Sequence, residues 1–263
     1  MKKIIAVTLF IFFIFPVCVF AQKEAAPAAK KAPEVKNVAA QTAKKAPTTP
    51  AKNVSISIED QFKTSFPKNN FESITPTEVK GLYEVYTGNQ IYYFIPKDDV
   101  IIIGPMISKN GINITKESYN KKMAQKMANL SLESALKIGH GKTSVVEFID
   151  LHCHFCRESY KYFAERKDVT IYAFFFPLSQ KSAEKTKYIL CAKDAVKAYE
   201  DALSGKLDNI QLAACTEKKV DETVKTHMKL ASQIGVKATP LFYIKGQVVE
   251  GFDPAAIEKL LKD

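Results

Sequence analysis

The sequence has little of what a metal centre or a nucleic-acid surface needs. It holds four histidines and five cysteines, and one CxxC, Cys153 to Cys156, with no second CxxC and no spaced histidine pair to accompany it. A zinc site built from His152, Cys153, His154 and Cys156 would crowd four ligands into five residues, which cannot easily surround a tetrahedral ion. A c-type haem attachment needs histidine directly after the second cysteine, where this chain has Arg157. Internal repeats are also lacking, and so is a broad excess of charge. The formal net charge is +10, but Lys2 and Lys3 lie at the N-terminus and residues 22–53 hold seven Lys against two Glu. The rest is nearly balanced, so a nucleic-acid partner is not expected.

What is present begins with an export pattern. Lys2 and Lys3 precede an apolar stretch from Ile4 to Phe15, then Pro16, and Val19-Phe20-Ala21 forms a small-residue cleavage site before Gln22. A leader over residues 1–21 places the mature protein outside the cytoplasm. The competing reading is an uncleaved anchor, since apolar character continues to Ala21 and nears the roughly 17 residues a spanning helix needs. Cys18 follows bulky residues, Phe15-Pro16-Val17, which does not fit lipidation. Removing the leader leaves Cys153, Cys156, Cys191 and Cys215, and an even count in an oxidising compartment favours pairing.

The whole chain, of 263 residues with 46% hydrophobic content, has material for one sizeable core or two. Residues 22–53 are Ala, Lys and Pro with almost nothing to bury, and read as an extended, disordered linker. Residues 54–115 read as a small α+β unit. A helix is expected around Ile58–Ser65, and strands around Glu78–Tyr86, Gln90–Ile95 and Val100–Ile107, with turns at Thr87-Gly88-Asn89 and Pro96–Asp99. A unit this small gains by dimerising. A linker helix follows, roughly Lys116–Ile138 within residues 116–140, carrying Met123, Met127 and Leu130 on one face.

From residue 141 to 263 the pattern becomes β-α-β, then helices and a hairpin. Expected elements are a strand Ser144–Ile149, a helix from Cys156 to about Arg166 and a strand Val169–Phe176. Helical sequence follows over Ser182–Leu203 and Val220–Ile234, then strands Leu241–Ile244 and Gln247–Gly251, and a last helix Pro254–Leu261. Strand, CxxC, helix is the thioredoxin-like order. The fold class is therefore α+β, with a helical insertion in the C-terminal domain.

At that seam Cys153 faces the N-terminal end of a helix, where unpaired N–H groups and the helix dipole favour thiolate over thiol, so it is the expected nucleophile. Cys156, inside the first turn, is the expected resolving thiol. Between them His154 adds positive charge when protonated, and Phe155 offers an apolar contact to a bound polypeptide. Glu147, on the preceding strand, reads equally as a solvent-facing carboxylate or as a buried proton acceptor for Cys156. Thr239-Pro240 permits either isomer; a cis bond here would bring the Thr239 backbone beside Cys153, where an extended substrate could pair with it. Cys191 and Cys215, 24 residues apart, are the natural structural pair, worth about 3 kcal/mol in the chain-entropy model.

Taken together, the stretches "LCAKDAVKAYEDALSGK", "QIGVKATPLFYIKGQVVEGFDP" and "IIIGPM" and the Cys153-His154-Phe155-Cys156 centre resemble the bacterial periplasmic DsbC/DsbG disulfide isomerases over residues 54–263. The resemblance implies a V-shaped homodimer joined through its N-terminal domains, thioredoxin-like catalytic domains facing an apolar cleft, and a structural disulfide at Cys191–Cys215. Glu147 departs from that family and is more like the buried glutamate of the DsbA oxidases.

The expected function is exported thiol:disulfide isomerisation on unfolded or misoxidised secreted proteins. It would use no cofactor beyond the Cys153–Cys156 dithiol, with a membrane thiol reductase as electron donor. A dithiol oxidase and a dimeric holdase chaperone with secondary redox activity are the alternatives.

Overall fold

A computed structural model describes residues 56–262; the expected leader and basic linker lie outside the described residues. The chain enters through α1 (Ile58–Ser65), capped by the Ser57 hydroxyl, which accepts from the Asp60 amide at 3.1 Å. An antiparallel meander follows: β1 (Ser73–Pro76), β2 (Tyr83–Tyr86), β3 (Ile91–Ile95) and β4 (Val100–Ile103). One face of the meander covers α1, where Phe62, Val85 and Phe94 form a small core. Asp99 closes the β3–β4 turn and ties it to α1 by accepting from Gln61 Nε2 at 3.0 Å and Ser65 Oγ at 2.7 Å.

Two strands differ from expectation here. The stretch Glu78–Tyr86 is extended only from Tyr83; residues 77–82 form a turn closed by Thr77, whose amide donates to the Leu82 carbonyl at 3.0 Å. The additional strand β1 precedes it, too short to show a pattern. The strand from Val100 stops at Ile103, because Gly104 and Pro105 interrupt it, and Ile107 returns only as an isolated bridge to Asn113. One side of β4 is an unpaired edge, and Val100, Ile102 and Ile103 are exposed.

The helix expected over Lys116–Ile138 is α2 (Ile114–Ala128), started by the Asn113 side chain accepting from the Lys116 amide at 2.9 Å. Leu136–Ile138 is not helix but β5, an edge strand paired antiparallel to β7. Leu136 and Ile138 alternate with Lys137, a period of two that a continued helical reading hides.

The second sheet runs β5-β7-β6-β8-β9, built from β6 (Thr143–Ile149), β7 (Val169–Phe175), β8 (Leu241–Ile244) and β9 (Gln247–Glu250), with β6 and β7 parallel. Between β6 and β7 lies α3 (His154–Ala164). The helical stretch Ser182–Leu203 is two helices, α4 (Gln180–Cys191) and α5 (Ala195–Leu203), because Asp194 restarts the chain by capping the Lys197 amide at 2.9 Å. Then come α6 (Lys218–Ile234) and, after the hairpin, α7 (Pro254–Lys262).

Successive β6 residues feed two cores. Val145 and Ile149 enter a cluster with Cys156, Phe163, Tyr199, Phe242 and Ile257. Val146 and Phe148 enter another with α6 and α2, which continues to Tyr86, Ile91 and Tyr93 of the meander. Among the described residues no helix is long and apolar enough to cross a membrane.

Candidate active site

β6 carries the chain to the site as an unbroken buried run, Val145 to Asp150, as expected of a central strand covered on both faces. Cys153 is the N-cap of α3: its carbonyl accepts from the Arg157 amide at 3.2 Å and its own amide donates to the Asp150 carbonyl at 3.2 Å. No side-chain capping bond forms there, so the sulfur sits beside the unpaired N–H groups of the first turn. Both Cys153 and Cys156 are free thiols, Cys153 half-buried and Cys156 wholly buried. Burial pushes the Cys156 thiol well above its ordinary range. The exposed thiol is thus the one placed to meet another molecule, and the inner one needs help to ionise.

The Thr239–Pro240 bond is cis, and the Cys153 thiol donates to the Thr239 carbonyl at 3.3 Å. His154 and Phe155 open α3 on its exposed side, their rings 5.5 Å apart, and Phe155 is 58% exposed. An exposed aromatic two residues from the half-buried thiol is a ready apolar contact.

Glu147 is buried, 1% exposed, so it is not the solvent-facing carboxylate that one reading expected. It lies on the α3 face of the sheet, opposite Ala173 and Phe242 in register, and accepts from the Tyr199 hydroxyl at 2.5 Å. Burial raises its pKa to about 7, against the Tyr199 hydrogen bond, which lowers it. Cys191 and Cys215 are joined in a disulfide with Cα atoms 6.1 Å apart, linking the end of α4 to the segment before α6.

Sequence reasoning missed three further features around the pair: Asp150, the Arg157–Asp208–Lys185 cluster and Tyr199. Asp150, buried, accepts from the His152 amide at 2.7 Å, the Leu178 amide at 2.6 Å and the Ser182 hydroxyl at 2.8 Å, so it fastens the turn before Cys153 to the start of α4. Arg157 forms a bidentate pair with Asp208 at 2.7 Å, and the buried Lys185 reaches the same carboxylate at 2.5 Å. The Arg157 hydrogen bonds, with Lys185, hold Asp208 far below the usual carboxylate range. Burial, then the nearby Lys185 and Arg157 charges, lowers the His152 pKa. The third is Tyr199, one of the apolar-face residues of α5. None carries a local signal, because each partner comes from a different element. Among the described residues no group of His, Cys, Asp and Glu is gathered closely enough to hold a metal ion.

Residues 24–116 match the family model of the disulfide bond isomerase protein N-terminal domain. The chain is 30% identical over 192 residues to the thiol:disulfide interchange protein DsbC of Salmonella typhimurium strain LT2, covering 68% of this chain and 75% of that one. It is 29% identical over 191 residues to the protein of the same name from Escherichia coli strain K12, covering 69% and 76%. Among solved structures, a disulfide interchange protein from Neisseria gonorrhoeae is 27% identical with a TM-score of 0.44, over 51% of this chain and 96% of that one. With an isomerase N-terminal domain joined to a β-α-β unit that presents Cys153 and Cys156, the chain belongs to the DsbC family of thiol:disulfide interchange proteins.

Proposed function

We propose that this protein is a periplasmic thiol:disulfide isomerase in which Cys153 attacks a wrong disulfide and Cys156 resolves the product. The observation that carries the reading is the pairing of a half-buried thiol at the N-cap of α3, 3.3 Å from the Thr239 carbonyl, with a buried thiol one turn behind it. Cys153 thiolate attacks one sulfur of a substrate cystine; a mixed disulfide forms and the other substrate sulfur leaves as thiolate. That thiolate exchanges with another disulfide of the substrate, and the thiolate freed there attacks the substrate sulfur held by Cys153, forming a new substrate disulfide and returning Cys153 as thiolate; or Cys156 attacks Cys153, closes the Cys153–Cys156 disulfide and releases the substrate reduced. Phe155 supplies apolar contact and the Thr239 backbone a hydrogen-bonding edge for an extended segment. In the second route Glu147 takes the Cys156 proton, and a membrane thiol reductase restores the dithiol.

The unpaired, apolar edge of β4 supports a homodimer joined through the meander, since such an edge left open invites association. Export rests on the N-terminal leader pattern.

The buried Glu147 favours a second reading, net oxidation, because a substrate thiolate that opens an oxidised Cys153–Cys156 disulfide expels Cys156 as a buried thiolate, which a protonated Glu147 beneath it can neutralise. Both readings are tested by reactivating a scrambled, fully oxidised multi-disulfide protein in glutathione buffer with substoichiometric wild type and Cys153→Ser. Recovery with wild type alone supports isomerisation. Failure there, with rapid oxidation of a reduced substrate, supports the oxidase.

A further inference from the structure

Closure of the Cys153–Cys156 disulfide releases a proton inside an apolar core. Cys156 is wholly buried, and the sulfur it attacks, on the half-buried Cys153, lies between it and the surface. The proton therefore needs an acceptor and a way out on another side.

Beneath α3 the structure offers both. Glu147 and Tyr199 are buried together, and among the described residues the Tyr199 hydroxyl is the side chain that hydrogen-bonds the carboxylate, at Oε1. This is a costly pair to leave in a core unless it is used, since an apolar pair of similar shape would avoid burying an ionisable group. Both residues line a cavity of about 390 Å³ whose wall also includes Tyr160, His140, Glu200 and Arg166. His140 and Glu200 are at the surface or only half-buried, so the cavity extends from the core toward solvent. α3 runs back over β6 from Cys156, bringing Tyr160 and Phe163 over this region, and Tyr160 packs edge-on against Tyr199 with ring centroids 6.1 Å apart.

We propose that Tyr199 positions Glu147 to receive the proton of Cys156, and that the cavity the two residues line is the outlet by which that proton reaches solvent. This rests on the reading of Cys153 and Cys156 as the exchanging pair. The step balances: the Cys156 S–H proton passes to the Glu147 carboxylate, the Cys156 thiolate attacks Cys153 Sγ, the Cys153–substrate S–S bond breaks, and the substrate leaves as thiolate. Glu147 then gives its proton to water in the cavity. The ionisable groups that share the core with Tyr199 or line the cavity with Glu147 are Cys156 and Tyr160 of α3, Glu200 of α5, and His140 and Arg166 at the cavity wall. Glu147's sheet neighbours Ala173 and Phe242 contribute none. The elevated pKa of Glu147 fits a group that both takes and returns a proton near neutral pH.

The test is stopped-flow reaction of the reduced protein with dithiobis(nitrobenzoate) across pH. The first thionitrobenzoate released reports attack by Cys153, and the second reports attack by Cys156. Wild type, Glu147→Gln, Tyr199→Phe and Val196→Phe, the last filling the cavity wall, are compared after circular dichroism confirms folding. Glu147→Gln is expected to slow the second phase about 10²-fold and flatten its pH profile near neutrality. Tyr199→Phe removes a donor to the ionised carboxylate, so the midpoint of the second phase moves upward by about one to two pH units. Val196→Phe leaves the second phase unchanged but delays appearance of its proton in solution, followed with a pH indicator in weak buffer, behind that phase. In all three the first phase is unchanged.

A Tyr199→Phe profile superimposed on wild type, with Glu147→Gln flattened, overturns the positioning role. Proton release in Val196→Phe that keeps pace with the second phase, as in wild type, overturns the outlet. If Glu147→Gln leaves both phases untouched, Glu147 is not the acceptor. Absence of any second phase in wild type removes the dithiol reading itself.

Discussion

The Tyr119 hydroxyl donates to the Gly235 carbonyl at 2.8 Å, joining α2 to the C-cap of α6 across 116 residues of sequence. Gly235 is left-handed there, with φ +95°, and a Cβ would fall 2.4 Å from the Tyr119 oxygen and 3.1 Å from the Gly88 carbonyl. Lys126 reinforces the junction by donating to Gln233 O and Glu72 Oε1, both at 3.0 Å. Gly235→Ala should therefore lower stability by about 2 kcal/mol or more, combining backbone strain with a clash that Tyr119 must relieve. Tyr119→Phe should cost only about 1 kcal/mol, the net worth of one hydrogen bond. Urea unfolding of both variants checks the order; equal costs would mean that the backbone conformation is not the larger effect.

His227 lies wholly buried between α6, β7 and the segment before β5. Its Nδ1 accepts from the Phe175 amide at 3.1 Å, so Nε2 carries the proton and donates to the Ser134 carbonyl at 2.8 Å. Burial lowers its pKa. An unfolded chain accepts a proton below about pH 6.5 while the folded chain does not, so this contribution to stability is present above that pH and is lost as pH falls through it. Its slope is at most about 1.4 kcal/mol per pH unit. His227→Gln should be less stable at neutral pH and show a shallower acid slope in urea midpoints; an unchanged slope would mean that other groups govern the acid limb.

Cys156 stands behind Cys153, inaccessible to large substrates. Cys156→Ala should retain attack by Cys153 but lose the intramolecular exit, so mixed disulfides with substrate accumulate as dithiothreitol-sensitive adducts on gels. Cys153→Ser should trap none. Adducts formed equally by Cys153→Ser would reverse the assignment of nucleophile and resolving thiol.

Ile103 is 70% exposed on the unpaired edge of β4. If the meander joins two copies, Ile103→Glu places a charge in that contact and should convert dimer to monomer in light scattering at micromolar concentration. The second phase of reaction with a small disulfide should be unaffected, because β4 belongs to the other sheet. Loss of dimer together with loss of the helical spectrum would instead mark a folding defect, which Ile103→Thr, milder at the same position, distinguishes.

Much of the site was legible because its signals are local. Cys153 and Cys156 sit at a strand-to-helix seam that apolar patterning reveals, and the chain folds there as β6, an N-cap and α3. The hairpin turns, the helix α1 and the closing β8–β9–α7 order follow from residues near each other in sequence, where backbone preference and periodicity act. Where two local readings competed, packing arbitrated. Leu136–Ile138 became a strand because β7 had an open side to pair with, and Ser182–Leu203 broke in two because Asp194 supplied a new cap. Glu147 could have faced water or core by its place in an alternating strand. Its burial, and the Tyr199 hydroxyl 52 residues away that satisfies it, depend on α3 and α5 covering the same face of the sheet. So it is with Asp150, with Arg157, Lys185 and Asp208, and with Tyr119 and Gly235. By itself the sequence determined where the CxxC pair falls and the order in which strands and helices present it. Only the tertiary structure decided which ionisable groups lie out of water and who partners them, since burial is the joint effect of elements distant in sequence.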